Sequence, residues 1–164
     1  MADKRRWLFA LKVRDRPGTV TAVASVFSNR GVSMQMLLGS TLHAVAADAI
    51  DLLVVCEAAE PRRKELHRTL GRLANVVAIA CHPFDSPKLR AVALAHVDPR
   101  VAARGAGLAE VATEESVAFA PVLCDDDHET WTLMAPPAQV ERCLERLREA
   151  GALLDVTMTV IPVE

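Results

Sequence analysis

The 164-residue sequence contains no tyrosine, and two tryptophans with four phenylalanines bring the aromatic share to only 4%. Proteins that hold single-stranded nucleic acid stack bases on a series of rings, so this composition argues against that class. A long apolar run is also missing: the richest stretch, Leu42 to Val55, is broken by His43, Asp48 and Asp51, whereas a membrane span needs about 18 apolar residues in succession. The N-terminal Met1-Ala2-Asp3-Lys4-Arg5-Arg6 leads into Trp7-Leu8-Phe9-Ala10 and then meets Lys12 and Arg14, which is not the layout of a signal peptide. Cys56, Cys81, Cys124 and Cys143 include no C-x-x-C pair and no histidine at zinc-ligand spacing. The five histidines, His43, His67, His82, His96 and His128, are dispersed, and none forms a recognised nucleophile motif with a serine or cysteine. The reading is a cytoplasmic chain with reduced thiols and no cofactor, metal or catalytic residue.

Apolar residues make up 51% of the chain, charged residues 24%, and mean hydropathy is +0.20, which requires a folded core. The length suits two domains of about 80 residues. Their charges differ: residues 1–87 hold 12 Lys+Arg against 8 Asp+Glu, a net of +4, and residues 88–164 hold 7 against 13, a net of −6.

Trp7, Phe9, Leu11 and Val13 alternate and predict a first strand with one buried face. Arg14-Asp15-Arg16-Pro17-Gly18 ends it, because proline fixes φ and glycine opens conformations closed to other residues. Val20, Val23, Ala24 and Phe27 then recur at helical spacing, predicting a helix over 19–30 with Gly31 as its stop. Burial of the three larger of these side chains would contribute about 1.5–3 kcal/mol each. Two β segments follow, Val32 to Thr41 and Asp48 to Glu57. Pro61 suits the first turn of a helix striped by Leu66, Leu70 and Leu73, and Asn75 to Phe84 forms a last strand.

After Asp85-Ser86-Pro87 the order restarts: a strand Leu89 to Val97, a turn at Asp98-Pro99-Arg100, strands at 115–123 and 129–135, a helix striped by Val140, Leu144 and Leu147, and a strand Leu153 to Val163. Asp15 and Asp98 lie 83 residues apart, and Pro83 and Pro162 lie 79 apart, as in an internal repeat. The predicted class is α+β: two ferredoxin-like βαββαβ units, residues 1–86 and 87–164, each an antiparallel sheet with helices on one face. Val101 to Ala112 is the weakest helix, since Gly105 and Gly107 would each cost it about 1 kcal/mol.

The loop before the first helix carries the candidate chemistry. A glycine at a strand-to-helix junction admits a close approach, and the first N–H groups of the helix are unpaired donors at the positive end of its dipole. A carboxylate fits there, while Asp15 can accept from an ammonium group, so the loop offers both poles to a zwitterion. The same residues also read as a plain turn, with Asp15 as a cap. The second half lacks a glycine directly after Pro99, which predicts no equivalent site.

Val13-Arg14-Asp15-Arg16-Pro17-Gly18-Thr19, the run Val20-x-x-Val23-Ala24-x-x-Phe27 and Asn29-Arg30-Gly31-Val32-Ser33 resemble an ACT domain, a small amino-acid-sensing module, over residues 7–84. The duplicated layout is similar to the small regulatory subunits of acetolactate synthases. The resemblance implies a homodimer in which a small amino acid sits between Asp15, Arg16, Pro17, Gly18 and Thr19 of one subunit and Ser33 and Met34 of its neighbour. It also implies a metabolic enzyme as partner. Those subunits usually carry Asn at the positions of Asp15 and Ser33, so branched-chain feedback is not carried over.

Other features read as structural. Asp125-Asp126-Asp127-His128-Glu129 lacks the spaced ligands and glycine of a calcium loop and suits a solvated hairpin tip. Arg62, Arg63, Lys64, Arg68 and Arg72 make a basic helix face diluted by Glu60 and Glu65. Cys56, Cys81 and Cys143 fall in phase with apolar faces. The strands carry apolar residues on both faces, Leu8 and Ala10 opposite Phe9 and Leu11, so the face without helices needs cover from a second copy or from the other half. A ligand-free interaction scaffold is the alternative function.

Overall fold

The computed structural model describes residues 3–40, 48–102, 107–124 and 128–163. The connection Leu42 to Ala47 with His43, Gly105, and the acidic run Asp125 to Asp127 lie outside the described residues. The chain divides into two compact units, Met1–Ser86 and Pro87–Glu164.

The first unit comprises β1 (Lys4–Arg14), α1 (Thr19–Ser28), β2 (Met34–Ser40), β3 (Ala49–Ala59), α2 (Glu60–Leu70) and β4 (Val76–Pro83), with an antiparallel sheet ordered β2-β3-β1-β4. The alternation in β1 does what its period predicts: Trp7, Phe9, Leu11 and Val13 join Leu52, Val54 and Cys56 in a core closed by α1 and α2. Phe9 and Phe27 meet edge to face with centroids 5.7 Å apart. The Trp7 indole N–H donates to the Ala58 carbonyl at 3.0 Å, so its polar edge is satisfied inside. Arg30 ties the two helices together, donating to Glu65 Oε1 (3.1 Å), Thr69 Oγ1 (2.9 Å) and the Val26 carbonyl (3.2 Å).

The buried stripe of α1 is Thr19, Val23, Val26 and Phe27, whereas Val20 stays 40% exposed. The expected stripe is therefore turned by one position. Thr19 can occupy the inner place because its hydroxyl finds partners there, and its neighbour is rotated about 100° outward. Gly31, at φ +61°, ends the helix turn, and the Val32 N–H reaches back to the Phe27 carbonyl at 3.0 Å.

The second unit comprises β5 (Leu89–Val97), α3 (Pro99–Ala102), α4 (Leu108–Glu114), β6 (Ala118–Cys124), β7 (Glu129–Ala135), α5 (Pro137–Glu149) and β8 (Leu153–Pro162), with sheet order β6-β7-β5-β8. Residues 115–117, expected in the strand, instead finish α4. Glu115 is its C-cap and Ser116 stands at φ +58°. Glu115 also binds α5: hydrogen bonds from Arg142 (2.8 Å) and then Arg146 (3.4 Å) hold its carboxyl below the usual range.

The repeat offset needs a one-residue correction. The Arg14 N–H donates to the Asn75 carbonyl (2.8 Å) and the Asp98 N–H to the Ala152 carbonyl (2.9 Å), so Asp98 takes the place of Arg14, not of Asp15. A one-residue slip would flip every side chain across the sheet. At the corrected offset Trp7, Phe9 and Leu11 correspond to Ala91, Ala93 and Ala95, all buried. The second core fills that missing volume from α5, with Val140, Cys143, Leu144 and Leu147, and from Leu133 on β7.

All four cysteines are free thiols. Burial pushes Cys56 up to about 12, and Cys81 and Cys143 up to about 11. Cys56 pairs with Trp7 and Cys81 with Phe9 on either side of β1, so two strand spacings and a two-residue offset hold them about 12 Å apart, beyond disulfide reach. A thiol reagent at neutral pH should therefore label exposed Cys124 rapidly, half-buried Cys81 slowly, and Cys56 and Cys143 only after denaturation, as counted by mass spectrometry. Ser116→Gly should raise stability by about 1 kcal/mol in a denaturant titration, because a left-handed backbone disfavours any side chain there.

Candidate functional site

The loop from β1 to α1 is a tight turn. Pro17 and Gly18 occupy its two central positions, Gly18 at φ +83°, ψ −4°, and the Thr19 N–H closes it on the Arg16 carbonyl at 3.1 Å. This geometry demands glycine at the second position. Arg14, Asp15, Arg16, Pro17 and Gly18 are all exposed. A Cβ placed on Gly18 would meet no heavy atom within 4 Å, so the space above the turn is open.

The turn is held from beneath by one hydrogen-bond knot. Thr19, only 2% exposed, donates its hydroxyl to the Arg14 carbonyl (3.2 Å) and accepts from Asn75 Nδ2 (2.9 Å), while the Asn75 carbonyl accepts the Arg14 N–H. Asp15 is fixed through its backbone, its N–H donating to the Asp48 carbonyl at 2.6 Å, and Arg16 Nη2 lies 3.9 Å from Asp48 Oδ2 across solvent. Among the described residues the Asp15 carboxylate meets no partner.

Helix α1 starts with no side-chain cap and no acidic residue in its first turn. The first intrahelical bond runs from Ala22 to the Gly18 carbonyl (2.8 Å), which leaves the N–H groups of Val20 and Thr21 without an acceptor among the described residues. The second unit handles the same junction differently. There Asp98 Oδ1 accepts the Arg100 N–H at 2.8 Å, so its own carboxylate occupies the start of the following helix.

The other two expected residues stand elsewhere. Ser33 is exposed and Met34 half-buried at the start of β2. Met34 pairs with Cys56, and Cys56 with Trp7, whereas the loop follows Arg14, seven residues further along β1. At strand rise this is about 23 Å. Within one chain the structure therefore brings together Asp15, Arg16, Pro17, Gly18 and Thr19 but not Ser33 and Met34. Thr19 has both its N–H and its hydroxyl engaged inside the chain. Asn75, Asp48 and Val20 also belong to the neighbourhood of the loop, although the sequence gives them only structural places, two strand starts and a helix stripe. The only signal for Asn75 was its place at the end of a helix-to-strand turn.

Among the described residues no group of three or more His, Cys, Asp or Glu is placed to hold a metal ion, and no helix is long and apolar enough to cross a membrane. On α2, Glu60 pairs with Arg63 and Lys64, and Glu65 with Arg62, so part of the basic face is neutralised.

No family model and no curated protein sequence matches the chain. Among solved structures, the acetolactate synthase small subunit from Thermotoga maritima superposes with a TM-score of 0.71 at 14% identity, covering 98% of both chains. The likeness is one of fold: each unit of this chain is a ferredoxin-like antiparallel four-stranded sheet with the same strand order. The regulatory subunit of aspartate kinase from Thermus thermophilus covers 91% of this chain and 93% of its own at 15% identity, but its TM-score of 0.47 is too low to bear on the site.

Asn75→Ala should remove the knot beneath the turn and lower stability by about 1–3 kcal/mol, since it strips a partner from the buried Thr19 hydroxyl. Chemical denaturation measures this directly, and Asn75→Asp should not recover the loss, because a carboxylate cannot donate to the Thr19 oxygen.

Proposed function

We propose that the chain is a cytoplasmic, non-enzymatic regulatory protein whose residues 1–86 bind a small amino acid at the Asp15 to Thr19 loop, and whose residues 87–164 are a divergent copy without a site. The single observation that carries the reading is the contrast between the two helix starts. In the first unit the N–H groups above an open Gly18 await an acceptor, whereas in the second the helix that follows the first strand starts with its Arg100 N–H already held by the Asp98 carboxylate, at the position of Arg14. On this reading the ligand carboxylate lies against the N–H groups of Val20 and Thr21, and its ammonium group lies against Asp15. Thr19 positions the turn from below and does not touch the ligand.

Ser33 and Met34 complete the site from a second copy, in a homodimer that shifts its packing, or its grip on a metabolic enzyme, when the ligand favours one arrangement. The tandem fold shared with the acetolactate synthase small subunit supports a regulatory role. A ligand-free scaffold is the second reading, favoured by β6, whose seven residues are all exposed.

A thermal-shift panel of the common amino acids tests the proposal. One of them should raise the melting temperature, and at 100 times its Kd it adds about 2.7 kcal/mol. Gly18→Leu should abolish that response with the circular dichroism spectrum retained, because the side chain would project into the open space over the turn. Absence of any response at millimolar concentration favours the scaffold.

A further inference from the structure

Exposed apolar side chains concentrate at one place in the second unit. Phe119 (37% exposed), Val122 (59%) and Leu123 (59%) fall within five residues of β6, and all seven residues of that strand are exposed. Phe119 leans on Trp131 of β7 with ring centroids 5.8 Å apart, which gives the patch an aromatic floor. Apolar side chains gathered on a surface mark a place where another molecule binds.

β6 is an outer strand of its sheet, yet its backbone is a poor template for a further strand. Pro121 has no N–H to give, and the register with β7 breaks between Pro121 and Leu123. An occupant gains little here from backbone pairing and must arrive with its own hydrogen bonds made, as a helix does. Charge then selects among helices. Residues 107–131 hold seven Asp or Glu and no Lys or Arg. Glu114 and Glu115 are taken by Arg142 and Arg146. Glu110 on α4, which packs against β6, and Glu129, which accepts from the Trp131 indole N–H, meet no Lys or Arg among the described residues. A second copy of this chain fits poorly. Its basic α2 already pairs Arg62, Arg63 and Lys64 with Glu60 and Glu65, and buries its apolar Leu66 and Leu70.

We propose that β6 is the docking surface for a basic amphipathic helix of a partner protein. The apolar stripe of that helix covers Phe119, Val122 and Leu123, and its Lys or Arg side chains face Glu110 and Glu129. This gives a chemistry to the partner in the proposed function, so it rests on that part of the reading and not on the ligand loop.

Fluorescence anisotropy tests it, with the full chain and a labelled synthetic helix carrying leucine along one side and lysine along the other. A scrambled peptide of the same composition is the control. The striped helix should bind about tenfold more tightly than the scrambled one, and Leu123→Ser should remove that advantage. Glu129→Gln, which keeps an acceptor for the Trp131 indole, should weaken binding and flatten its dependence on salt. Circular dichroism of both variants should match the wild type. Equal binding of the two peptides, unchanged affinity in Leu123→Ser, or no binding overturns the proposal. So does a wild-type dimer in sedimentation that Leu123→Ser dissolves, because the occupant is then a second copy. Both variants should keep the wild-type thermal-shift response to amino acids, so loss of helix binding and failure of the ligand reading are separate outcomes.

Discussion

The geometry of the first unit depends on one buried hydroxyl. Thr19 sits where the first apolar residue of α1 would otherwise be, and its oxygen joins the end of β1, the start of α1 and the turn before β4 through Arg14 and Asn75. A hydroxyl left unpaired in that position would oppose folding by about 1–3 kcal/mol. Paired, it fixes the orientation of the helix start, and with it the direction in which the free N–H groups point. The turn above is permissive only because the knot below is rigid.

The two units build the same frame with different side chains. The first packs Trp7, Phe9 and Leu11 under its helices, while the second lines the corresponding strand with Ala91, Ala93 and Ala95 and relies on a more strongly striped α5. Their helix starts diverge likewise, one open and one capped by Asp98. Both sheets nevertheless keep the same strand order, because antiparallel register and the hydrophobic period constrain topology more tightly than the choice of side chain does.

Most of the fold was legible in the sequence for that reason. Period-two alternation in β1, helical spacing in α2 and α5, and the Pro-Gly turn each specify local structure through side chains that face one way. Where the reading slipped, a polar group outcompeted the hydrophobic pattern. Thr19 displaced Val20 from the core because its hydroxyl found two partners, the Arg14 carbonyl and the Asn75 side chain. Ser116 adopted a left-handed conformation usually reserved for glycine, so three residues expected in a strand went to a helix end. At the candidate site the Pro17-Gly18 turn could be read directly. Asn75 could not, since it lies 56 residues from Thr19 and only the closed sheet brings the two together.

The separation of the loop from Ser33 along the sheet has a further consequence. If the loop of one protomer and the Ser33 end of another complete a single compartment, neither protomer alone holds the ligand fully, and binding becomes tied to protein concentration by mass action. Dilution would then loosen the ligand, and the ligand in turn would hold protomers together, each effect equal in free energy to the other. A cell could tune such a sensor by how much of the protein it makes, without altering a residue that touches the ligand.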